Sequence, residues 1–405
     1  MRSLLVLTIL SLADFSAAFT SHSFRSTVSR QRTRVSACDE DNNDNDPSVV
    51  SRREAIQNAG LALSSMLLIP ASATTLSPLA AHAEGEPKTI ILTGSNSGIG
   101  FEAVKRLSAD GHTVVMPCRT MEKSLGAIQR IGSTAGNLVP AECDLASLAS
   151  IQAFAKELPS LLGSNKKIDI LGLNAGLARD TSAVDVARTK DGFELTVGTN
   201  HFGHFALNKL LLPMMNPNGK IVITASGVHD PESPGGAQGE KATLGDLEGL
   251  KRDGKLFEMV DGASFNADKA YKDSKLCNVL FTRELQKRLE ASDETKRITA
   301  NCFNPGLIVS TGLFRDQNPL FTKVFDVVAT DVFKVGETPT FGGGTLYYTT
   351  TVDTRGGYYS SAPGSSKYGD AALGNQFAET QCSKEASDDA KAKNLWDLTD
   401  SLIGL

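Results

Sequence analysis

The chain has 405 residues, a formal net charge of −5, 40% hydrophobic and 21% charged residues, and 36 glycines. This is the composition of an ordinary globular protein, and one large α/β domain behind a removable leader suits the length as well as two domains would. The charge excludes a general nucleic-acid binder, because neutralising phosphates takes a basic surface, but it leaves room for a small anion held by one or two local cations.

The first 85 residues read as addresses rather than fold. In residues 1–18, Arg2 precedes the apolar run Leu4 to Leu12 and the small residues Ser16-Ala17-Ala18. That is the layout of a secretory signal peptide, too short to span a bilayer. Residues 19–50 begin with Phe19 and carry Arg25, Arg30, Arg32 and Arg34 among serines and threonines, with no acid before the acidic linker Asp39 to Asp46. The basic part resembles a plastid transit peptide, and with the preceding signal it resembles the two-part leader of algae with secondary plastids. In residues 51–85, Arg52-Arg53 precedes the apolar run Leu61 to Ile69 and two small-residue sites, Ala71-Ser72-Ala73 and Ala81-His82-Ala83. This resembles a twin-arginine signal for thylakoid transfer, and an amphipathic helix docking on a membrane is the other reading. Residues 86–405 are expected to form one domain.

Lys88 to Thr93 reads as a short buried strand that runs into Gly94-Ser95-Asn96-Ser97-Gly98-Ile99-Gly100 and then a helical pattern with Val104 and Leu107 on one face. Strand, glycine turn and helix N-terminus in that order make an anion site, where backbone N–H groups and the helix dipole face a pyrophosphate. Gly94 suits the tight turn, Gly98 the close approach of a dinucleotide, and Gly100 close helix–strand packing. The second strand, Thr113 to Pro117, ends in Cys118-Arg119-Thr120. An acid there would hold the ribose hydroxyls of NAD. Arg119, joined by Lys123 one turn on, suits the 2′-phosphate of NADP instead. Asp144 and Leu145 end the third strand; an acid there resembles an adenine contact of dinucleotide-binding relatives, and Asp144 can also cap the helix starting near Ser147. Ile168 to Leu173 is the fourth strand, ending in Asn174-Ala175-Gly176 at the cofactor cleft. This alternation predicts an α/β fold, a single Rossmann-type doubly wound parallel sheet with helices on both faces.

Ile221 to Thr224 reads as the fifth strand, followed by Ala225-Ser226. Tyr271 and Lys275 stand at i and i+4, on one face of a helix. The Lys275 charge is expected to lower the Tyr271 pKa and fit it to proton transfer near neutrality. Asn304-Pro305-Gly306 ends a sixth strand. The six cysteines, at 38, 118, 143, 277, 302 and 382, include no CxxC, and His201 and His204 have no acid or cysteine at ligand spacing. Free, mostly buried thiols and no metal site are expected.

From about Lys88 to the C-terminus, these features resemble the short-chain dehydrogenase/reductase family. The resemblance implies a catalytic tetrad of Asn200, Ser226, Tyr271 and Lys275, with Ser226 hydrogen-bonding the reacting group and Asn200 anchoring a water beside Lys275. It implies NADPH as cofactor, and Thr311 at its nicotinamide end. Gly198 to Phe205, Leu244-Gly245-Asp246-Leu247, Ala270 to Asn278, Thr311 to Arg315, Glu385 to Asp388 and the long insertion between Ser226 and Tyr271 are similar to the light-dependent protochlorophyllide reductases within that family. That similarity implies light-driven reduction of a ring double bond in a lipophilic substrate, a tetrapyrrole, during chlorophyll biosynthesis in a plastid. Contact with the thylakoid surface and homo-oligomerisation are compatible with it.

Two places depart from that subgroup: Leu173 with Gly176 around Asn174, and Ser226-Gly227-Val228-His229, which looks more like relatives that reduce retinal-type carbonyls. An NADP-dependent carbonyl reductase acting on a lipophilic substrate is therefore the alternative. Cys277 matches the subgroup but lies about 120° around the helix from Tyr271, which makes it a packing residue first and a pigment contact second. Phe314, Leu320, Phe321 and Phe325 offer apolar surface for a lid or membrane contact, or for ordinary helix packing.

Overall fold

The computed structural model describes residues 86–134, 136–163, 166–308, 336–352, 355–361 and 377–405. The leader readings over residues 1–85, together with Thr311, Phe314, Leu320, Phe321 and Phe325, lie outside the described residues.

Eight strands form one sheet: β1 (Thr89–Leu92), β2 (Thr113–Cys118), β3 (Leu138–Glu142), β4 (Ile168–Leu173), β5 (Met215–Thr224), β6 (Thr299–Phe303), β7 (Tyr358–Ser361) and β8 (Phe377–Thr380). Their order is β3-β2-β1-β4-β5-β6-β7-β8. Every pairing is parallel except that of β7 with β8. The order reverses between β1 and β4, and a crevice at the carboxyl ends of the strands is where an open α/β sheet binds ligands.

The strands are short apolar runs because the sheet is covered on both faces. Alternate residues feed two separate cores. Ile91, Val115, Leu171, Ile221 and Ile223 point to one side; Ile90, Leu92, Val114, Met116, Ile170 and Val222 point to the other. On the first side lie α3 (Leu148–Leu162), α4 (Gly203–Leu211, entered through a π-helical turn at Gly198–Phe202), α6 (Ala267–Glu290) and α8 (Asp389–Ile403). On the second side lie α1 (Gly98–Ala109), α2 (Met121–Ile131) and α7 (Pro339–Thr351). A short helix, α5 (Glu248–Asp253), belongs to the insertion that precedes α6. Helix α7 lies close against α1 because its glycines leave room: a Cβ on Gly343 would stand 2.4 Å from Glu102 Cβ.

Helix α6 is polar in sequence yet buried over most of its length. Lys269, Lys272, Asp273 and Glu284 are buried and each has an ion-pair partner, whereas Lys275 has only a carbonyl acceptor. Lys269 Nζ lies 2.6 Å from Asp273 Oδ2 and 2.9 Å from Asp261 Oδ2, and donates to the Thr243 carbonyl at 2.8 Å. Lys272 Nζ lies 2.6 Å from Asp268 Oδ2 and donates to the carbonyls of Gln238 and Glu240. Both lysines thereby tie the insertion to the helix that carries Tyr271 and Lys275.

The expected doubly wound sheet is present. Strands β7 and β8 extend it beyond what the pattern predicted. Tyr358–Ser361 and Phe377–Thr380 are four residues each, too short to show periodicity. The helix starting near Ser147 is capped by Ser147 itself, whose hydroxyl accepts from Ser150 N at 3.3 Å. Asp144 is not its cap; it accepts from Ala146 N at 3.2 Å. Among the described residues no helix is long and apolar enough to cross a membrane, and no His/Cys/Asp/Glu cluster could hold a metal ion. The five described cysteines are free, and all but Cys382 are buried.

Candidate active site

One cavity of about 910 Å³ opens along the carboxyl ends of the strands, near the upper limit of roughly 300–1,000 Å³ usual for ligand sites. At one end it is walled by the turn between β1 and α1, where Gly94, Asn96, Ser97, Gly98 and Ile99 line it. Gly94 takes φ +66°, a left-handed conformation open to glycine. A Cβ on Gly100 would sit 2.3 Å from the Gly94 carbonyl oxygen and 2.6 Å from Asn174 Nδ2, so only glycine lets α1 begin there. Gly100 and the buried Ser95 shape the turn from behind rather than line the cavity.

Arg119, Lys123, Asp144 and Leu145 line the same end. The Arg119 guanidinium is half exposed and reaches Asp144 Oδ1 only at 4.0 Å. An ion pair that long and that wet holds the side chain weakly. Lys190 Nζ approaches the other oxygen of Asp144 at 3.3 Å.

Between the two ends, Asn174, Ala175 and Gly176 form the floor. A buried polar network behind them was not legible in the sequence. The Thr93 hydroxyl accepts from Asn174 N at 2.8 Å and Ala175 N at 3.0 Å, and lies 3.0 Å from His204 Nε2. His204 Nδ1 lies 3.0 Å from the Asn200 carbonyl oxygen, which can only accept, so Nδ1 carries the ring proton. The Thr93 hydroxyl proton therefore faces two acceptors, His204 Nε2 and, at 3.2 Å, the Gly172 carbonyl. Burial holds the His204 pKa down to about 4, which keeps the ring neutral. Asn174 Nδ2 donates to the Thr93 carbonyl at 3.0 Å, and Asn174 Oδ1 accepts from Thr224 Oγ1 at 3.1 Å.

At the far end Ser226, Tyr271 and Lys275 meet. Ser226 follows β5 and starts the single turn Gly227–His229. Its hydroxyl stands near enough to the Tyr271 phenol to favour the ionised form and accepts from Val228 N at 3.4 Å. Lys275 Nζ lies 5.6 Å from the Tyr271 ring centre and donates to the Thr224 carbonyl at 3.1 Å, an acceptor shared with Asn278 Nδ2. Asn200 sits in the π-helical turn, fully buried behind the cavity wall. Its amide donates to Leu177 O and Ser274 Oγ, and its Oδ1 accepts from Leu177 N. The four residues are thus brought together, Asn200 from behind and three at the surface of the cavity. Pro305 and Gly306 complete that wall.

The electrostatics differ from the sequence expectation at one point. Burial raises the Tyr271 pKa above its ordinary 10.0 and outweighs the lowering by Ser226. Lys275 carries its own desolvation penalty, which brings its pKa down to about 8. The phenol is therefore a protonated group at neutral pH, suited to donate a proton. Cys277 is fully buried in the core and does not line the cavity, in keeping with a packing role. The insertion supplies Val228, His229, Ser233, Pro234 and Gln238 to the cavity. Lys272 and Tyr358 also line it, and the sequence reading gave neither a role in the site.

A family model for short chain dehydrogenase matches residues 88–238. Protochlorophyllide reductase A, chloroplastic, of Oryza sativa subsp. japonica is 35% identical over 361 residues, spanning 84% of this chain and 89% of the rice protein. The chain belongs to the short-chain dehydrogenase/reductase family. Its relatives also include the chloroplastic protochlorophyllide reductase of Chlamydomonas reinhardtii, 34% identical over 329 residues and 79% of each chain. Among solved structures, an uncharacterised protein from Mycobacterium paratuberculosis superposes with a TM-score of 0.55 at 28% identity, covering 78% of this chain and 93% of that one. A short-chain dehydrogenase from Burkholderia cenocepacia in complex with NADP, at 18% identity and a TM-score of 0.50 over 69% of this chain and 98% of that one, shares the fold.

Proposed function

We propose that this chain is an NADPH-dependent oxidoreductase that reduces protochlorophyllide to chlorophyllide in light, within the plastid. The observation that carries the proposal is a single cavity joining a glycine turn and Arg119 at one end to Tyr271, Ser226 and Lys275 at the other. Relatives at 34–35% identity over about four-fifths of this chain are named for that reaction.

The residues present suit the cofactor. The turn is closed to a side chain at Gly94, where a Cβ would stand 2.8 Å from Ala175 Cα, and at Gly100, and α1 directs its unpaired N–H groups at the cavity. Arg119, weakly held by Asp144, is the cation for a 2′-phosphate, with Lys123 beside it. Asn96, Ser97, Gly98, Ile99, Asp144, Leu145, Asn174, Ala175, Gly176, Pro305 and Gly306 complete the lining, with Ser95 behind the turn; the resemblance adds Thr311. NADPH supplies the hydride when bound. Tyr271 holds the proton to be transferred, kept on the phenol by burial, with Ser226 beside it on the cavity wall. Lys275, with a pKa at about 8, is mostly charged at pH 7 and steadies negative charge left on the phenol. Asn200 holds the loop at Leu177 and, through Ser274, the helix carrying Tyr271. Residues 1–85 form a layered plastid leader ahead of the enzyme domain, and the mature protein works at the thylakoid periphery.

One assay decides the substrate. The purified protein is mixed with NADPH and protochlorophyllide in darkness and then flashed. Chlorophyllide formed only after light is the expected result. Ser226 and Tyr271 side by side also suit a substrate carbonyl, so dark turnover of a lipophilic aldehyde with no pigment product would establish a carbonyl reductase instead. N-terminal sequencing of the mature protein tests the leader.

A further inference from the structure

The turn that carries Ser226 ends on His229, a residue that neither the cofactor nor the proton-transfer reading uses. His229 is 1% exposed although it borders the cavity. Its Nδ1 lies 2.7 Å from the Ser226 carbonyl oxygen. Its Nε2 lies 3.2 Å from Ser383 N, in the segment after β8. Its ring packs edge-on against Tyr358 of β7, with centres 4.9 Å apart.

The partners determine the ring's protonation. A carbonyl oxygen only accepts, so Nδ1 must carry a proton. A backbone N–H only donates, so Nε2 must be bare. One neutral tautomer alone satisfies both bonds, and burial, which lowers the His229 pKa against the opposing pull of the Ser226 carbonyl and Asp230, keeps the ring in that state. The bond to the Ser226 carbonyl closes the turn on which the Ser226 hydroxyl stands, and the bond to Ser383 secures the turn to the C-terminal segment. Just before Ser383, Thr380 and Gln381 border the same cavity.

We propose that His229 is a positioning residue for the reaction: a neutral Nδ1–H imidazole that sets the Ser226 hydroxyl against Tyr271 by holding the Ser226 carbonyl, and joins that turn to the C-terminal wall of the cavity. The proposal rests on the reading of Ser226 and Tyr271 as the reacting pair. A displaced hydroxyl would slow the chemical step while leaving cofactor binding alone, since the glycine turn and Arg119 lie at the other end of the cavity. Misplacing a reacting group by about 1 Å costs on the order of 100-fold in rate.

The test uses the full chain. Ring ¹⁵N spectra of histidine-labelled protein at pH 7, with the His229 signals assigned by their loss in His229→Asn, are expected to show a protonated Nδ1 and a bare Nε2. A protonated Nε2 would overturn the clamp whatever the substrate proves to be. His229→Leu removes both bonds, whereas His229→Asn keeps an amide donor near the Nδ1 position. In flash-started single turnovers at saturating NADPH and protochlorophyllide, His229→Leu is expected to lose about 100-fold in rate with the KM for NADPH little changed, and His229→Asn to recover most of that loss. Equal loss in both variants, or wild-type rate in His229→Leu, refutes the positioning role. Should His229→Leu fail to fold, the spectrum and His229→Asn still decide. If the wild type converts no pigment, the substrate reading has failed, and the variants are compared on dark aldehyde turnover.

Discussion

Thr93→Val puts a number on the buried network behind the cofactor turn. The substitution keeps the side-chain volume and removes one hydroxyl from a site that is 1% exposed. That hydroxyl accepts from two backbone N–H groups, Asn174 at 2.8 Å and Ala175 at 3.0 Å, and shares its proton between His204 Nε2 at 3.0 Å and the Gly172 carbonyl at 3.2 Å, an oxygen that Thr93 N also reaches. Valine leaves Asn174 N, Ala175 N and His204 Nε2 without a partner. An orphaned buried polar group costs about 1–3 kcal/mol, and Ala175 and His204 have some freedom to relax, so the expected loss is about 2–4 kcal/mol. Urea unfolding of the ligand-free protein should show it as a lower midpoint at unchanged slope. Thr93→Ser, which keeps the hydroxyl, should recover most of the loss. NADPH binding should weaken in Thr93→Val, because Gly94 packs against Ala175 at the floor of the turn. A loss below about 0.5 kcal/mol, or a serine variant as unstable as the valine one, would refute the accounting.

Three further outcomes are expected. Tyr271→Phe should abolish turnover of either candidate substrate while leaving the NADPH Kd nearly unchanged, as measured by nucleotide fluorescence; retained turnover would remove Tyr271 from proton transfer. Arg119→Ala should weaken NADPH by roughly 10- to 100-fold, the worth of about 1.5–3 kcal/mol for a charged hydrogen bond, and leave NADH unaffected. Equal effects on both nucleotides would show that Arg119 does not read the 2′-phosphate. Lys275 carries the third. Its pKa falls from 10.5 to about 8 on folding, through burial, so the unfolded chain binds more protons between those values and stability rises with pH across that window. Below about pH 8 the whole penalty, about 3 kcal/mol, is present. Lys275→Met should therefore be more stable than the parent at pH 7, with the gap closing toward pH 10.5. A constant gap would refute the sign.

The reading of the sequence was most complete where the chemistry is local. Gly94 to Gly100 lies between an apolar strand and an amphipathic helix, and each glycine's need arises within a few residues of it. Tyr271 and Lys275 share a face because a helix repeats every 3.6 residues. Short apolar runs parted by helical patterns imply a parallel sheet covered on both faces, since nothing else buries such strands. The rest depends on residues far apart in the chain. Thr93 meets Asn174 across 81 positions and His204 across 111, and no spacing rule reaches so far. Only at His204, four residues after Asn200 on the same helical face, was a local trace of that network available. Strands β7 and β8 are too short to betray themselves and form because β6 offers an unpaired edge. The protonation of Tyr271, Lys275 and His229 is likewise tertiary, because desolvation depends on what the whole fold packs around a group and not on its neighbours in sequence. Residue types and spacings thus determined which groups take part. Burial and distant hydrogen bonds decided which protons those groups carry.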